Sequence, residues 1–292
     1  MSGAIGFALA PGRGGRRVRG YDFGGATLPP GANLSRASAG SRLSGPGAIE
    51  TIGANVARFD RWPATGLIVE PAATNLAPAS ASIAGRWTGD RSGTGATDPL
   101  ITPAADTAPD GGTADRIAFQ RGTGFARIST SIGPVAAGAP FTFSLWIKGD
   151  EAGPGPAMRL DGTTGAALDL VPGWRRFTMS SVGSGGLVSC QLILWGAVPG
   201  SPAVVSLLAW GAQLELGGTA TSIIPTSGAP ATRAADVLTL DWARHRVPDG
   251  PQAFRYDLAG GSTVTVSATV AGGFATMPMP PAGERVVRIV AG

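Results

Sequence analysis

Hydrophobic and polar residues alternate strictly over residues 141–148, FTFSLWIK. Successive side chains of a strand point to opposite faces of a sheet, so this pattern predicts a half-buried antiparallel strand. One face would carry Phe141, Phe143, Leu145 and Ile147, and the other Thr142, Ser144, Trp146 and Lys148. Residues 174–179, 188–195 and 204–216 predict further strands. In 188–195, one face would carry Val188, Cys190, Leu192 and Leu194, and the other Ser189, Gln191, Ile193 and Trp195.

Turn signals separate these runs at a spacing that favours a sandwich or jelly roll. Four later runs, at 237–242, 253–258, 262–270 and 285–290, predict a small β module. Residues 21–76 hold only short apolar pieces, too short to form an independent core. Residues 226–235 are small and polar, so they are interpreted as a linker.

The sequence therefore predicts an all-β chain in four parts. They are a flexible basic arm that would dock on a larger assembly (1–20), an extended β-containing segment (21–80), a central jelly-roll β-sandwich (81–236) and a small C-terminal β module (237–292).

Composition supports the β assignment. The 292 residues include 46 Gly and 24 Pro but only five Glu and one Lys, so turns are abundant and good helix formers are scarce. The net charge of +4 is too small to indicate nucleic-acid binding. No apolar run is long enough for membrane insertion, and the first ten residues lack the positive region of a secretory signal.

Residues able to carry out catalysis are few, and we predict no catalytic residue. The single histidine, His245, stands between two arginines, and the single cysteine, Cys190, lies on an apolar strand face, where a buried, inert thiol is expected. Acidic pairs such as Asp150–Glu151 and Asp161/Asp169 fall at predicted turns. No cofactor or metal is predicted. The only candidate is a Ca²⁺ site at Asp106, Asp110 and Asp115, whose spacing is not that of an EF-hand.

Tryptophan gives the strongest indication of a binding site. Trp146 and Lys148 share one strand face, and Gln191 and Trp195 share another. A sugar ring stacks its CH face on an aromatic side chain, while amides and charged groups bind its hydroxyls. These four residues form a predicted glycan site if both strands belong to one sheet. The alternative is that another layer or a subunit covers this face.

Two segments carry a family resemblance. Residues 209–236, AWGAQLELGGTATSIIPTSGAPATRAAD, combine a WGAQLE strand with the patterns ATSxIPT and TRAAD; residues 35–76 carry RAS, RFD and GLIxExxxTNL. Both resemble segments of phage tail-fibre and virion-spike proteins whose jelly roll is similar to carbohydrate-binding modules. The chain departs from that pattern at Ile224, where an aromatic residue is common.

The resemblance implies a virion location, as a fibre, spike or head decoration of a phage, prophage or gene transfer agent. The short apolar pieces of residues 21–76 predict a homo-oligomer, and the resemblance implies that it is a trimer. The resemblance also implies other virion structural proteins and host surface polysaccharide as partners. Three functions compete: non-catalytic attachment to host glycan, an adaptor that anchors a separate receptor-binding protein, and a polysaccharide depolymerase. The scarcity of catalytic residues disfavours the third.

Overall fold

The computed structural model describes residues 19–292, and nearly all of its regular structure is β-strand. Across these residues there is no α-helix, only a single 3₁₀ turn at Ala243–His245. Accordingly, the described part of the chain contains no helix with the length and apolarity of a membrane span. The all-β prediction is confirmed. Residues 1–18 of the predicted arm lie outside the described residues.

The central part is a sandwich of two five-stranded antiparallel sheets. Its strands are β8 (Thr88–Ser92), β9 (Thr97–Thr107), β10 (Thr113–Gln120), β11 (Phe125–Val135), β12 (Pro140–Gly149), β13 (Gly153–Leu160), β14 (Thr163–Leu170), β15 (Arg175–Val182), β16 (Gly186–Trp195) and β17 (Val204–Leu216). Sheet I has the order β15-β12-β17-β10-β9, and sheet II has the order β14-β13-β16-β11-β8. This is the predicted jelly roll.

The core of the sandwich lies between the inner faces of the two sheets. The alternation predicted for β12 and β16 is confirmed, because the apolar side of each strand points into this core. The buried residues from these two strands are Phe141, Phe143, Leu145, Ile147, Val188, Cys190, Leu192 and Leu194. The other side of each strand forms part of an outer face, and any ligand site on the sandwich depends on what covers that face.

The remaining strands come from both ends of the chain. They are β1 (Gly20–Asp22), β2 (Ala32–Ser35), β3 (Gly40–Gly45), β4 (Ala48–Ile52), β5 (Phe59–Asp60), β6 (Gly66–Leu67), β7 (Ala73–Asn75), β18 (Ala231–Arg233), β19 (Val237–Asp241), β20 (Gly250–Leu258), β21 (Thr263–Val270), β22 (Phe274–Thr276) and β23 (Val286–Ala291). β1 and β6 pair with β23, β2 pairs with β19, and β7 pairs with β18.

These pairings build a second core that the N-terminal segment and the C-terminal module share. Phe23 and Phe59 pack in it with Trp242, Phe254 and further apolar residues from both ends of the chain. The N-terminal segment and the C-terminal module therefore form one core, which buries the short apolar pieces of residues 21–76. Since the chain covers these pieces itself, they give no reason to expect an oligomer.

The predicted arm also ends earlier than residue 20. Gly20 belongs to β1 and pairs with Val290, and the Arg19 carbonyl accepts a hydrogen bond from the Ala291 amide at 2.9 Å. A Cβ atom at Gly20 would lie 2.4 Å from the Ile289 carbonyl oxygen, so the strands approach closely at this point.

A buried set of charged and polar side chains joins the two cores. We call Arg36, Arg58, Glu70, Ser222, Arg233 and Asp236 the polar network. Asp236 accepts hydrogen bonds from Arg36 at 2.9 Å and Arg58 at 2.5 Å, and Glu70 accepts from Ser222 at 2.7 Å and Arg58 at 3.1 Å. Buried charges are tolerated when they are paired and hydrogen-bonded in this way.

The polar network explains what several residues of the two family-like segments do. Arg36, Arg58 and Glu70 come from the RAS, RFD and GLIxE patterns, and Arg233 and Asp236 come from TRAAD. The segment 226–235 is therefore no simple linker. β18 pairs with β7, and the Thr226 hydroxyl donates a hydrogen bond to the Ala77 carbonyl at 2.7 Å.

Candidate functional site

The four residues of the predicted glycan site lie in two different sheets. Trp146 and Lys148 belong to β12 in sheet I, whereas Gln191 and Trp195 belong to β16 in sheet II. Because the sheets pack through their inner faces, the two pairs lie on opposite outer sides of the sandwich. A single site made from all four residues is therefore wrong.

The Trp146 half of the prediction is part of a buried cluster. The Trp146 side chain is only 6% exposed and clusters with Trp210 and Ile223, while Leu43 and Ile49 of the β3–β4 hairpin pack against this cluster. Lys148 forms an ion pair with Asp106 at 3.1 Å. The alternation placed Trp146 correctly on the outer side of β12, but the N-terminal hairpin adds a third layer there.

The other half of the predicted site, Gln191 and Trp195, lies on the outer face of sheet II. Residues that face one another across neighbouring strands form rows on this face. Phe125 faces Trp195 in the first row. The second row runs Asp90, Arg127, Ile193, Ala157, Ala167, and the third runs Thr88, Ser129, Gln191, Arg159, Thr164. We call these three rows the platform.

The apolar residues of the first two rows of the platform form one patch. Ile193 is 2% exposed beneath the partly exposed rings of Phe125 and Trp195. Beyond the sheet itself, the one residue of this cluster among residues 19–292 is Val198, from the loop that follows β16. Unlike the outer face of sheet I, the platform therefore keeps two aromatic side chains accessible at one end.

Arg127 closes one side of this patch. Its guanidinium lies 5.1 Å from the centre of the Phe125 ring and binds both carboxylate oxygens of Asp90, at 2.6 and 2.7 Å. This hydrogen bonding raises the pKa of Arg127 despite the opposing effect of burial. The bidentate pair holds the planar guanidinium beside the ring and occupies the Asp90 carboxylate.

The third row is polar, with Gln191 at its centre. Gln191 is 7% exposed and donates a hydrogen bond to the Ser189 hydroxyl at 2.9 Å. Its Oε1 atom is shielded from solvent and has no hydrogen-bond partner among residues 19–292. A buried acceptor without a partner costs about 1–3 kcal/mol.

Three platform residues were not predicted from the sequence: Phe125, Arg127 and Asp90. The run FARISTSI (125–132) carries the required signal, because Ala126, Ile128 and Ile132 point into the core while Phe125, Arg127 and Ser129 point out. Asp90 lies on β8, TGDRS, which has no apolar alternation. Its place on the platform follows only from its pairing with β11.

The three aspartates considered for Ca²⁺ do not form one site. Asp115 accepts backbone hydrogen bonds from Ile83, Ala84 and Ala104 at 2.7–2.9 Å, Asp106 pairs with Lys148, and Asp110 accepts from the Gly112 amide at 3.0 Å. Within residues 19–292 no group of three or more His, Cys, Asp or Glu side chains is arranged to hold a metal ion.

The other candidate groups are buried, or are held by ion pairs and hydrogen bonds. Cys190 is fully buried, as expected, and burial raises its pKa. Burial and the nearby Arg244 lower the pKa of His245, whose ring packs on Tyr21 with 4.8 Å between ring centres. Asp150 pairs with Arg116, and Asp161 accepts a hydrogen bond from the Ser189 amide at 2.8 Å.

Several solved structures are similar to part of this chain at low identity. The enzymatically active domain of tailspike protein 4 of bacteriophage CBA120 is 15% identical over 46% of this chain, which spans 20% of that structure, with a TM-score of 0.33. The CBM22-1 xylan-binding domain of Paenibacillus barcinonensis Xyn10C is 14% identical over 51% of this chain and 94% of the domain, also at 0.33.

A family 11 carbohydrate-binding module from Clostridium thermocellum, in complex with a mixed-linked tetrasaccharide, is 10% identical over 51% of this chain and 97% of the module, at a TM-score of 0.33. No protein-family model matches the chain, and no curated protein matches its sequence. At these TM-scores the structural likeness carries no information about a ligand.

Proposed function

We propose that the protein binds a saccharide on the platform of sheet II, without cleaving it. The observation that carries this proposal is the accessible Phe125–Trp195 pair beside the polar row centred on Gln191. Aromatic rings offer a flat surface to the CH face of a sugar, and the neighbouring amide, hydroxyl and guanidinium groups suit its hydroxyls. Of the four residues first predicted, Gln191 and Trp195 remain in this proposal.

We further propose that binding serves attachment of a phage-like particle to a host polysaccharide. The support is the resemblance of residues 35–76 and 209–236 to virion-surface proteins. Non-catalytic binding is favoured because Asp90, the carboxylate of the platform, already accepts two hydrogen bonds from the Arg127 guanidinium group. A glycosidase needs two carboxyl groups placed on either side of the scissile bond.

The expected single-site affinity is weak. Stacking on a partly exposed ring contributes about 1–2 kcal/mol, by analogy with aromatic pairs and cation–π contacts. A total near −4 kcal/mol corresponds to a Kd of about 1 mM. Several copies on one particle would raise the avidity by orders of magnitude without any new contact.

The test is a glycan array with the full chain, followed by titration of the best ligand. Trp195→Ala should weaken binding about tenfold, which corresponds to the loss of about 1.4 kcal/mol of stacking. Trp62→Ala is the matched control, since Trp62 is 49% exposed in a loop outside the platform. The proposal fails if no glycan binds, or if Trp195→Ala and Trp62→Ala have equal effects.

A further inference from the structure

A large groove opens beside the second core, far in the sequence from the platform strands. Its volume is about 1470 Å³, and its walls come from the start of β1, the turn before β2, the 3₁₀ turn and the end of β23. Small-molecule sites usually enclose about 300–1,000 Å³. The size of this groove therefore suits an extended polymer better than a single small ligand.

The groove is strongly basic. Within residues 19–292, its lining contains four arginines, Arg19, Arg244, Arg246 and Arg255, and one aspartate, Asp22. Arg255 is neutralised by Asp257 at 2.9 Å. In contrast, Arg244 and Arg246 have no carboxylate within 4.0 Å among residues 19–292. Two unpaired guanidinium groups on one wall give this basic groove a positive potential that attracts an anionic partner.

The local fold fixes the two unpaired arginines. The Trp242 and Ala243 amides both donate to the Gly273 carbonyl, at 2.7 and 3.0 Å, and the Arg246 amide donates to the Ala243 carbonyl at 3.0 Å. The Arg244 side chain lies against Gly31, where a Cβ atom would come within 2.9 Å of Arg244 Cδ. The backbone that carries both arginines is thus held in an ordered turn, which lowers the backbone entropy lost on binding.

The lining side chains of the basic groove indicate which class of anionic partner it binds. Both aromatic rings of the basic groove are engaged, because the Tyr21 hydroxyl donates to the Asp241 carbonyl and the His245 ring packs on Tyr21. Sugars and nucleobases use accessible aromatic rings for stacking. Pro29, Pro30 and Val290 instead provide small aliphatic walls, which suit the stems and backbone of a peptide.

We propose that the basic groove docks an acidic peptide segment of a partner protein, with its carboxylates bound by Arg244 and Arg246. Guanidinium groups bind carboxylates through two parallel hydrogen bonds, and such charge-assisted bonds are about twice as strong as neutral ones. This surface is distinct from the platform and does not depend on glycan binding. It gives the protein a second contact, suited to a neighbouring component of the same assembly.

The test uses the full chain and a fluorescent ten-residue glutamate peptide, with binding followed by anisotropy at low and at physiological salt. An uncharged Gly-Ser peptide of equal length is the negative probe, and an oligogalacturonate of equal charge represents an acidic glycan. The glutamate peptide should bind, the Gly-Ser peptide should not, and added salt should weaken the binding.

Arg244→Gln/Arg246→Asn should weaken peptide binding at least about tenfold, as expected when charged contacts are removed from an interface. Asn is chosen because Arg246 has a φ of 56°, which Asn tolerates well. Arg61→Gln/Arg86→Gln removes the same charge from exposed positions outside the basic groove and should change binding less than about twofold.

Three results would overturn the proposal: no binding of the glutamate peptide, an equal loss in both double variants, or tighter, groove-dependent binding of the oligogalacturonate. The third result would assign the basic groove to an acidic glycan. Melting temperatures of both variants exclude unfolding as the cause of a loss. If the double variant is unstable, Arg246→Asn alone should still weaken binding measurably.

Discussion

Glu70 shows how its neighbours keep a buried carboxylate charged. Burial alone would raise its pKa, but the positive charges of Arg58 and Arg233, together with the Ser222 hydrogen bond, outweigh burial and lower the pKa to about 2. The folded protein therefore binds fewer protons than the unfolded chain between the ordinary value of 4.5 and about 2. The stabilisation from Glu70 is complete above about pH 4.5 and is lost as the pH falls towards 2.

This predicts an acid-sensitive stability that depends on one residue. Glu70→Gln should lower the free energy of unfolding at pH 7 by about 3–5 kcal/mol, because Arg58 and Arg233 lose a buried partner. It should also flatten the fall in stability between pH 4.5 and 3. Urea unfolding at several pH values measures both effects.

Glu50→Gln is the control, since the Glu50 side chain is 47% exposed in its pair with Arg42 and should matter by less than about 1 kcal/mol. An unchanged pH slope in Glu70→Gln would contradict the assignment.

At the scale of elements, the short β3–β4 hairpin decides which face of the sandwich is accessible. The sequence could predict the two faces of β12 and of β16 because apolar and polar residues alternate along each of these strands. It could not predict the cover over Trp146, because that cover comes from a hairpin about a hundred residues earlier in the chain. β5 and β6 have only two residues each, too few to show any period, so their place in the second core also required the structure.

Gly47 at the tip of this hairpin provides a test of the cover. Its φ is +62°, and a Cβ atom there would lie 2.6 Å from Trp174 Cβ and 2.9 Å from the Trp174 carbonyl oxygen. Gly47→Ala should therefore destabilise the protein by about 1–3 kcal/mol. It should also increase acrylamide quenching of the tryptophans beneath the hairpin.

Gly53→Ala is the matched control at the other end of β4, where a Cβ atom meets nothing within 4 Å. Its stability and quenching should stay close to those of the wild type. If both alanine variants behave alike, the contact of the hairpin tip with Trp174 does not hold the cover in place.

At the scale of the whole molecule, the N-terminal segment packs against the C-terminal module. The core of the sandwich uses residues from the middle of the chain, and the second core uses residues from the N-terminal segment and the C-terminal module. The polar network joins the N-terminal segment to the residues between β17 and β19. Several polar residues of the family-like segments therefore serve architecture, whereas the residues proposed for binding lie outside those segments. A resemblance in these segments indicates how the modules are joined and leaves the ligand to be determined from the exposed faces.

This joint predicts that the two cores unfold together. Asp236 accepts hydrogen bonds from Arg36, Arg58 and the Glu70 amide, at 2.9, 2.5 and 2.9 Å. Arg58 and Glu70 in turn hydrogen-bond to Ser222, which follows β17 of the sandwich. The wild type should show one calorimetric transition with equal calorimetric and van't Hoff enthalpies. Asp236→Ala leaves two buried guanidinium groups without this partner and should split the transition into two, the lower one shifted down by several degrees.

Asp98→Asn, at a side chain that is 66% exposed in its pair with Arg91, should keep the single wild-type transition. A single, merely shifted transition in Asp236→Ala would mean that other contacts, such as the β7–β18 pairing, are sufficient to couple the two cores.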